Sequence, residues 1–141
     1  MARNTKRDQL RGVQMFSACT DKELAQIARA CDEVAVDPDT VIVGEGTPGE
    51  DFYLIVSGEA AVSRGGRIVA TVVPGQYFGE LALLDQAPRN ATVTATSAMK
   101  LLRLGRHEFD AVLDSWPGVA HKLLRQMARR LRVEDEQSVT N

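Results

Sequence analysis

Between residues 32 and 104 the chain runs as short apolar stretches, at 33–36, 41–43, 52–56, 60–62, 68–73, 91–95 and 99–104. Turn residues separate them: Asp37-Pro38-Asp39, Gly46 to Gly49, Ser57-Gly58, Gly65-Gly66 and Pro74-Gly75. Stretches this short, punctuated this often, leave no room for ordinary helices and fit antiparallel strands. Ala91, Val93 and Ala95 alternate with Thr92, Thr94 and Thr96, the period-2 pattern of a half-buried strand. Without βαβ spacing a parallel sheet is excluded, and the options narrow to a sandwich, a jelly roll or a barrel.

Both flanks read as helix. Thr20-Asp21-Lys22-Glu23 is a capping box, in which Thr satisfies an orphan amide and Glu reaches back. It opens an amphipathic helix through Leu24, Ile27, Ala28 and Cys31, and a shorter helix is expected around 9–15. After Gly105 a helix is expected over 106–115, interrupted by Trp116-Pro117-Gly118, and a longer one to about 133. Ala120, Leu123, Leu124, Met127 and Leu131 line one face of it, and the polar end from 134 on is expected to fray. The expected fold class is therefore α+β. An antiparallel β-barrel or jelly roll of about eight strands (32–104) is flanked by N-terminal helices (about 8–31) and two C-terminal helices (about 106–135). At 141 residues this is one domain, 1–141.

Charge and cysteine usage restrict the function classes. Lys plus Arg number 17 against 19 Asp plus Glu, a net charge of -2, which disfavours a protein living on nucleic-acid phosphate. No run approaches the roughly 18 apolar residues of a membrane span, and the charged start has no apolar segment behind it to make a secretory signal. Cys19 and Cys31 have no CxxC spacing, which suits free thiols in a reducing, cytoplasmic setting.

Several motifs fail on context. Gly44-Glu45-Gly46-Thr47-Pro48-Gly49 spells GxGxxG, but Pro48 interrupts it and a strand follows, so it reads as a turn. Both histidines, His107 and His121, fall in the C-terminal helices, leaving no His–carboxylate cluster for a metal and no base for a Ser or Cys nucleophile. The Asn90-Ala91-Thr92 sequon is inert in a cytosolic chain. No enzyme chemistry and no metal are expected.

One segment, residues 78–93, does not read as packing. After Gly79 a short helical stretch, 80–84, would present unpaired amides suited to an anion. Arg89 then opens a strand whose neighbours face the interior, and a guanidinium there needs a partner. Two partners fit: Glu80, in an internal pair, or a bound phosphate, since Arg–carboxylate and Arg–phosphate forks share their geometry.

The run Phe78-Gly79-Glu80-Leu81-Ala82-Leu83-Leu84-Asp85-Gln86-Ala87-Pro88-Arg89-Asn90-Ala91-Thr92-Val93 resembles the phosphate-binding cassette of the cyclic nucleotide-binding domain family, found in protein kinase A regulatory subunits and the catabolite activator protein. The resemblance extends over nearly the whole chain. Met15-Phe16-Ser17 and the capped helix are similar to the family's N-terminal helices. The stretch from Gly46 through Phe52-Tyr53-Leu54-Ile55 to Gly58-Glu59 is similar to its first hairpin, and the helix around 126–131 to its lid and dimer helix. The resemblance implies that Arg89 neutralises a cyclic phosphate with help from the Ala82 amide, and that Glu80 binds the ribose 2′-hydroxyl beside the Gly79 and Leu81 backbone. It also implies that Val69 and Ala91 wall the base, though both equally suit plain core. The position after Arg89 is Ala or Ser in cAMP-preferring relatives and Thr in cGMP-preferring ones. Here it is Asn90, so cAMP is favoured and cGMP possible. Glu134 falls where the lid meets adenine, or on a solvated helix end.

The resemblance further implies a switch, with Leu83 and Leu84 working against Phe109, Val112 and Leu113. From the charge balance and the lack of a long apolar run, no nucleic-acid or membrane partner is expected. The resemblance also implies an effector protein in trans and a possible homodimer along Ala120, Leu124, Met127 and Leu131, a stripe that equally suits folding back over the barrel. Lys122, Arg125, Arg129 and Arg132 form a basic stripe on the same helix. The alternative function is a structural or protein-interaction domain of the same fold that no longer binds nucleotide. With no output domain in view, the chain is either a stand-alone sensor or a piece of a larger protein.

Overall fold

Eight antiparallel strands build two four-stranded sheets. The computed structural model describes residues 6–85 and 87–140, the side chains of 130 and 133–140 excepted. In chain order the strands are β1 (Asp32–Val36), β2 (Val41–Val43), β3 (Asp51–Ser57), β4 (Ala60–Arg64), β5 (Arg67–Val72), β6 (Tyr77–Phe78), β7 (Thr92–Ala95) and β8 (Met99–Gly105). The sheet orders are β1-β8-β3-β6 and β2-β7-β4-β5, the arrangement of a jelly roll. Seven strands were legible as apolar runs. The eighth, β6, is two residues long, too brief to show a period, and exists through its pairing of Tyr53 with Phe78 and Leu54 with Tyr77.

β3 and β8 pair in register Leu54 to Leu102 and read as nearly continuous apolar runs because both of their faces are covered. Phe52, Leu54, Leu102 and Leu104 pack against the helices, while Tyr53, Ile55, Met99 and Leu101 fill the barrel with Ala60, Val93 and Ala95. The helical side is centred on Phe16, whose ring stands 6.1 Å from Phe52 and 6.0 Å from Phe109.

Among the described residues four α-helices flank the sheets: α1 (Lys6–Arg11), α2 (Asp21–Ala30), α3 (Arg106–Ser115) and α4 (Pro117–Thr140). The helix expected around 9–15 is instead α1 followed by a 3-10 turn at Gln14–Phe16. The polar end does not break α4 before Thr140, since Glu-Asp-Glu-Gln contains no proline or glycine to stop it.

The capping box forms as read: the Glu23 amide donates to Thr20 Oγ1 at 3.2 Å, and the Thr20 amide donates to Glu23 Oε1 at 2.8 Å. The buried Glu23 carboxylate also accepts from Lys122 Nζ, which ties α4 to α2. Lys122 is therefore drawn out of the basic stripe expected on α4. Val119 and Leu123 are buried in the helical core, and Gln126 Nε2 donates to Ser17 Oγ at 3.1 Å. Leu124 and Leu131 stay 65% and 60% exposed, so the apolar stripe splits: one edge folds back onto the domain and the other faces out.

Burial alone would raise the Glu23 pKa, but the Lys122 and Thr20 hydrogen bonds outweigh it and hold the carboxyl below the ordinary glutamate range. A folded pKa below the unfolded one adds stability above the unfolded value, and that stability is lost as pH falls through the folded value. Glu23→Gln is expected to cost about 1–3 kcal/mol near pH 7. Thermal melts across pH should show the gap to wild type closing on acidification below the ordinary carboxylate range.

Candidate functional site

Where the barrel mouth meets the segment after β6, the structure leaves a cavity of about 470 Å³. That is within the roughly 300–1,000 Å³ of small-ligand sites. Gly79, Glu80, Leu81, Ala82, Arg89, Asn90 and Ala91, all anticipated from sequence, border it together. Val69 does not. It is 53% exposed on β5, the edge strand of its sheet, where Val62 pairs with Ala70 and Ser63 with Ile68, so Val69 is the extra residue of a bulge. The apolar wall comes instead from Val43, Val62 and Val93, on β2, β4 and β7.

Residues Glu80–Leu83 form a single 3-10 turn. It is entered through Gly79 at φ +78°, a left-handed conformation that favours glycine. Glycine is required there for space as well: a Cβ would stand 2.8 Å from the Asp51 carbonyl oxygen and collide with the Arg89 guanidinium. The Ala82 amide, expected to face an anion, donates within the turn to Gly79 O at 3.0 Å. Leu83 is buried in one cluster with Phe109 and Val112, with Leu113 packed against it. Leu84, expected beside it, is 39% exposed and lies outside that cluster.

Arg89 is held from three sides. Its Nη2 donates to the Asp51 carbonyl at 2.7 Å, so its hydrogen-bond partner among the described residues is a backbone oxygen and not Glu80. Its side chain lies across Gly49 and Gly79, where no Cβ intervenes. Its backbone is clamped to the 44–49 loop, with the Gly46 amide donating to Arg89 O and the Arg89 amide to Thr47 O, both at 2.8 Å. The failed glycine motif thus positions the arginine. Gly49 was missed as a site residue because its partner is 40 positions away in sequence. A Cβ at Gly49 would stand 2.8–3.0 Å from Arg89 Nε, Cζ and Cδ. Gly49→Ala is therefore expected to displace the guanidinium and weaken ligand binding about tenfold, about 1.4 kcal/mol, with little change in melting temperature. Titration calorimetry checks it.

Partial burial lowers the Arg89 pKa, opposed by the nearby Tyr53 and Asp51. An anion in the cavity would replace the stabilisation that hydration gives an exposed guanidinium. Burial likewise raises the Asp51 and Tyr53 pKa values against the pull of Arg103 and Arg89. The Tyr53 ring stacks on Phe78, a lining residue of the cavity, with centroids 5.2 Å apart. Away from the cavity, Cys19 and Cys31 are free, and burial pushes their thiols to about 11 and about 12, too high to react as thiolates at neutral pH. The Glu134 side chain lies outside the described residues. Among the described residues, no group of three or more His, Cys, Asp and Glu stands together to hold a metal, and no helix is long and apolar enough to cross a membrane.

Comparison with known proteins meets this geometry. A cAMP-dependent protein kinase regulatory subunit of Hypocrea atroviridis is 41% identical over 113 residues, covering 80% of this chain and 24% of its own length. The chain thus spans about a quarter of that relative. The N-terminal domain of a transcriptional regulator from Streptomyces coelicolor superposes with a TM-score of 0.87 at 35% identity, covering 92% of this chain and 96% of that one. The regulatory domain of Toxoplasma gondii PKA, solved with cAMP, superposes with a TM-score of 0.70 at 38% identity, over 79% and 46% of the two chains. Residues 33–115 match the family model of the cyclic nucleotide-binding domain. With its jelly-roll sheets and its cassette around Arg89, this chain belongs to the cyclic nucleotide-binding domain family.

Proposed function

We propose that the cavity binds a cyclic purine nucleotide, cAMP first and cGMP as the second candidate, and that the chain is a non-enzymatic cytoplasmic sensor. The observation that carries this reading is Arg89: a half-buried guanidinium, fixed by Asp51, Gly49 and Gly79, bordering a ligand-sized cavity. Arg89 would take the cyclic phosphate, Glu80 the ribose 2′-hydroxyl, and the Gly79, Leu81 and Ala82 backbone the sugar-phosphate edge. For the Ala82 amide to reach the phosphate, its bond to Gly79 O must open, which would reshape the turn on binding. Asn90 and Ala91 lie toward the base.

Leu83 offers the route outward. Its contact with Phe109 and Val112 passes any shift of the turn to α3, and from there to α4. The exposed edge of α4, Leu124 and Leu131, would seat a second copy, and an effector protein in trans would read the result. Calorimetry of the full chain with cAMP and with cGMP tests the reading. One saturable site per chain, with the nucleotide recovered unhydrolysed, is expected. Flat isotherms with both would leave a structural or protein-interaction domain.

A further inference from the structure

A second cation borders the cavity, and neither the cassette nor the ribose and phosphate contacts account for it. Arg64 ends β4, on which Ala60 pairs with Ala95 and Val62 with Val93, all facing the interior. The same register carried one step further sets Arg64 opposite Ala91, on the inward face at the barrel mouth, and Arg64 does border the cavity. The hairpin tip beside it is steadied by the Gly65 amide, which donates to Glu45 Oε1 at 3.0 Å. Among the described residues the Arg64 side chain has no hydrogen bond and no ion pair.

Two arginines border the cavity. Arg89 sits against the turn, where its guanidinium meets Asp51 O and the two glycines. Arg64 stands beside the apolar wall, two residues beyond Val62 and opposite Ala91 in register, next to the surface suited to a flat ring. A guanidinium carries only donors, so the ring edge that it reaches must offer acceptors. Purines do so at N7. Guanine adds O6 beside N7 to make a bidentate partner, whereas adenine places an amino donor there.

We propose that Arg64 is a specificity-determining residue that donates to N7 of the bound purine, and to O6 as well when the base is guanine. This rests on the cyclic-nucleotide reading above. The test titrates the wild-type chain, Arg64→Ala and Arg64→Lys with cAMP, cGMP and 7-deaza-cAMP, in which a carbon replaces N7. Arg64→Ala is expected to weaken cAMP about tenfold and cGMP about 30-fold or more, with Arg64→Lys intermediate. 7-Deaza-cAMP should bind wild type about tenfold more weakly than cAMP and lose nothing further in Arg64→Ala. Equal losses for cAMP and 7-deaza-cAMP, or no loss for either, would overturn the proposal while wild-type binding stands. A wild type that binds none of the three overturns the cyclic-nucleotide reading and this proposal with it.

Discussion

Arg89→Ala is expected to weaken cyclic-nucleotide binding about 30- to 150-fold, or about 2–3 kcal/mol, the range for hydrogen bonds to a charged group. The magnitude follows from where the guanidinium sits. It is partly desolvated, held by one backbone carbonyl, and close enough to Gly79 that no other side chain fits between it and the turn. The fold should survive, because Gly46 and Thr47 grip the backbone of residue 89 and not its side chain. Circular dichroism should therefore show a native spectrum and a modest shift in melting temperature beside the lost affinity. Arg89→Lys should recover little, since an ammonium cannot form the two-pronged contact. Wild-type affinity in Arg89→Ala would remove the phosphate role from this residue.

Phe109→Ala is expected to be the most damaging single substitution to stability, at about 3–5 kcal/mol. Phe109 is fully buried, its ring 6.0 Å from that of Phe16, in the cluster that joins β3, β8, α2, α3 and the turn carrying Leu83. For a chain of this size that loss lowers the melting temperature by roughly 10–15 °C. It also separates two roles. If Leu83 passes motion from the cassette to α3 through Phe109, then at temperatures where the variant remains folded, nucleotide should bind but α4 should no longer respond. A fluorophore at an exposed α4 position would report this. A full fluorescence change on binding in Phe109→Ala would exclude Phe109 from the route.

The parts of this molecule that were legible in sequence are those governed by local chemistry. The capping box at Thr20 and Glu23 declares itself within four residues, and the alternation at 91–96 states which side of a strand is wet. Arg89 stood out because a cation beside inward-facing alanine and valine demands a partner. What was illegible is long-range. Gly49 looks like any turn glycine until Arg89 lies across it. Val69 was assigned to the wall by resemblance, and the β5 bulge leaves it outside the cavity, a register slip that no hydrophobic period announces. Lys122 seemed one of four helix cations, and only the folded-back α4 brings it to Glu23.

The anchoring of α4 has a mechanical consequence. Its 24 residues extend about 36 Å at 1.5 Å per residue. Among the described side chains, the contacts that fasten it, Val119, Lys122, Leu123 and Gln126, fall in its first half. From residue 126 to Thr140 the helix runs about 20 Å further. A tilt of about 10° there carries the far tip by between 3 and 4 Å, about the spacing of one β-strand residue. A displacement too small to repack the barrel would thus arrive at the end of the helix large enough to make or break a contact with another molecule.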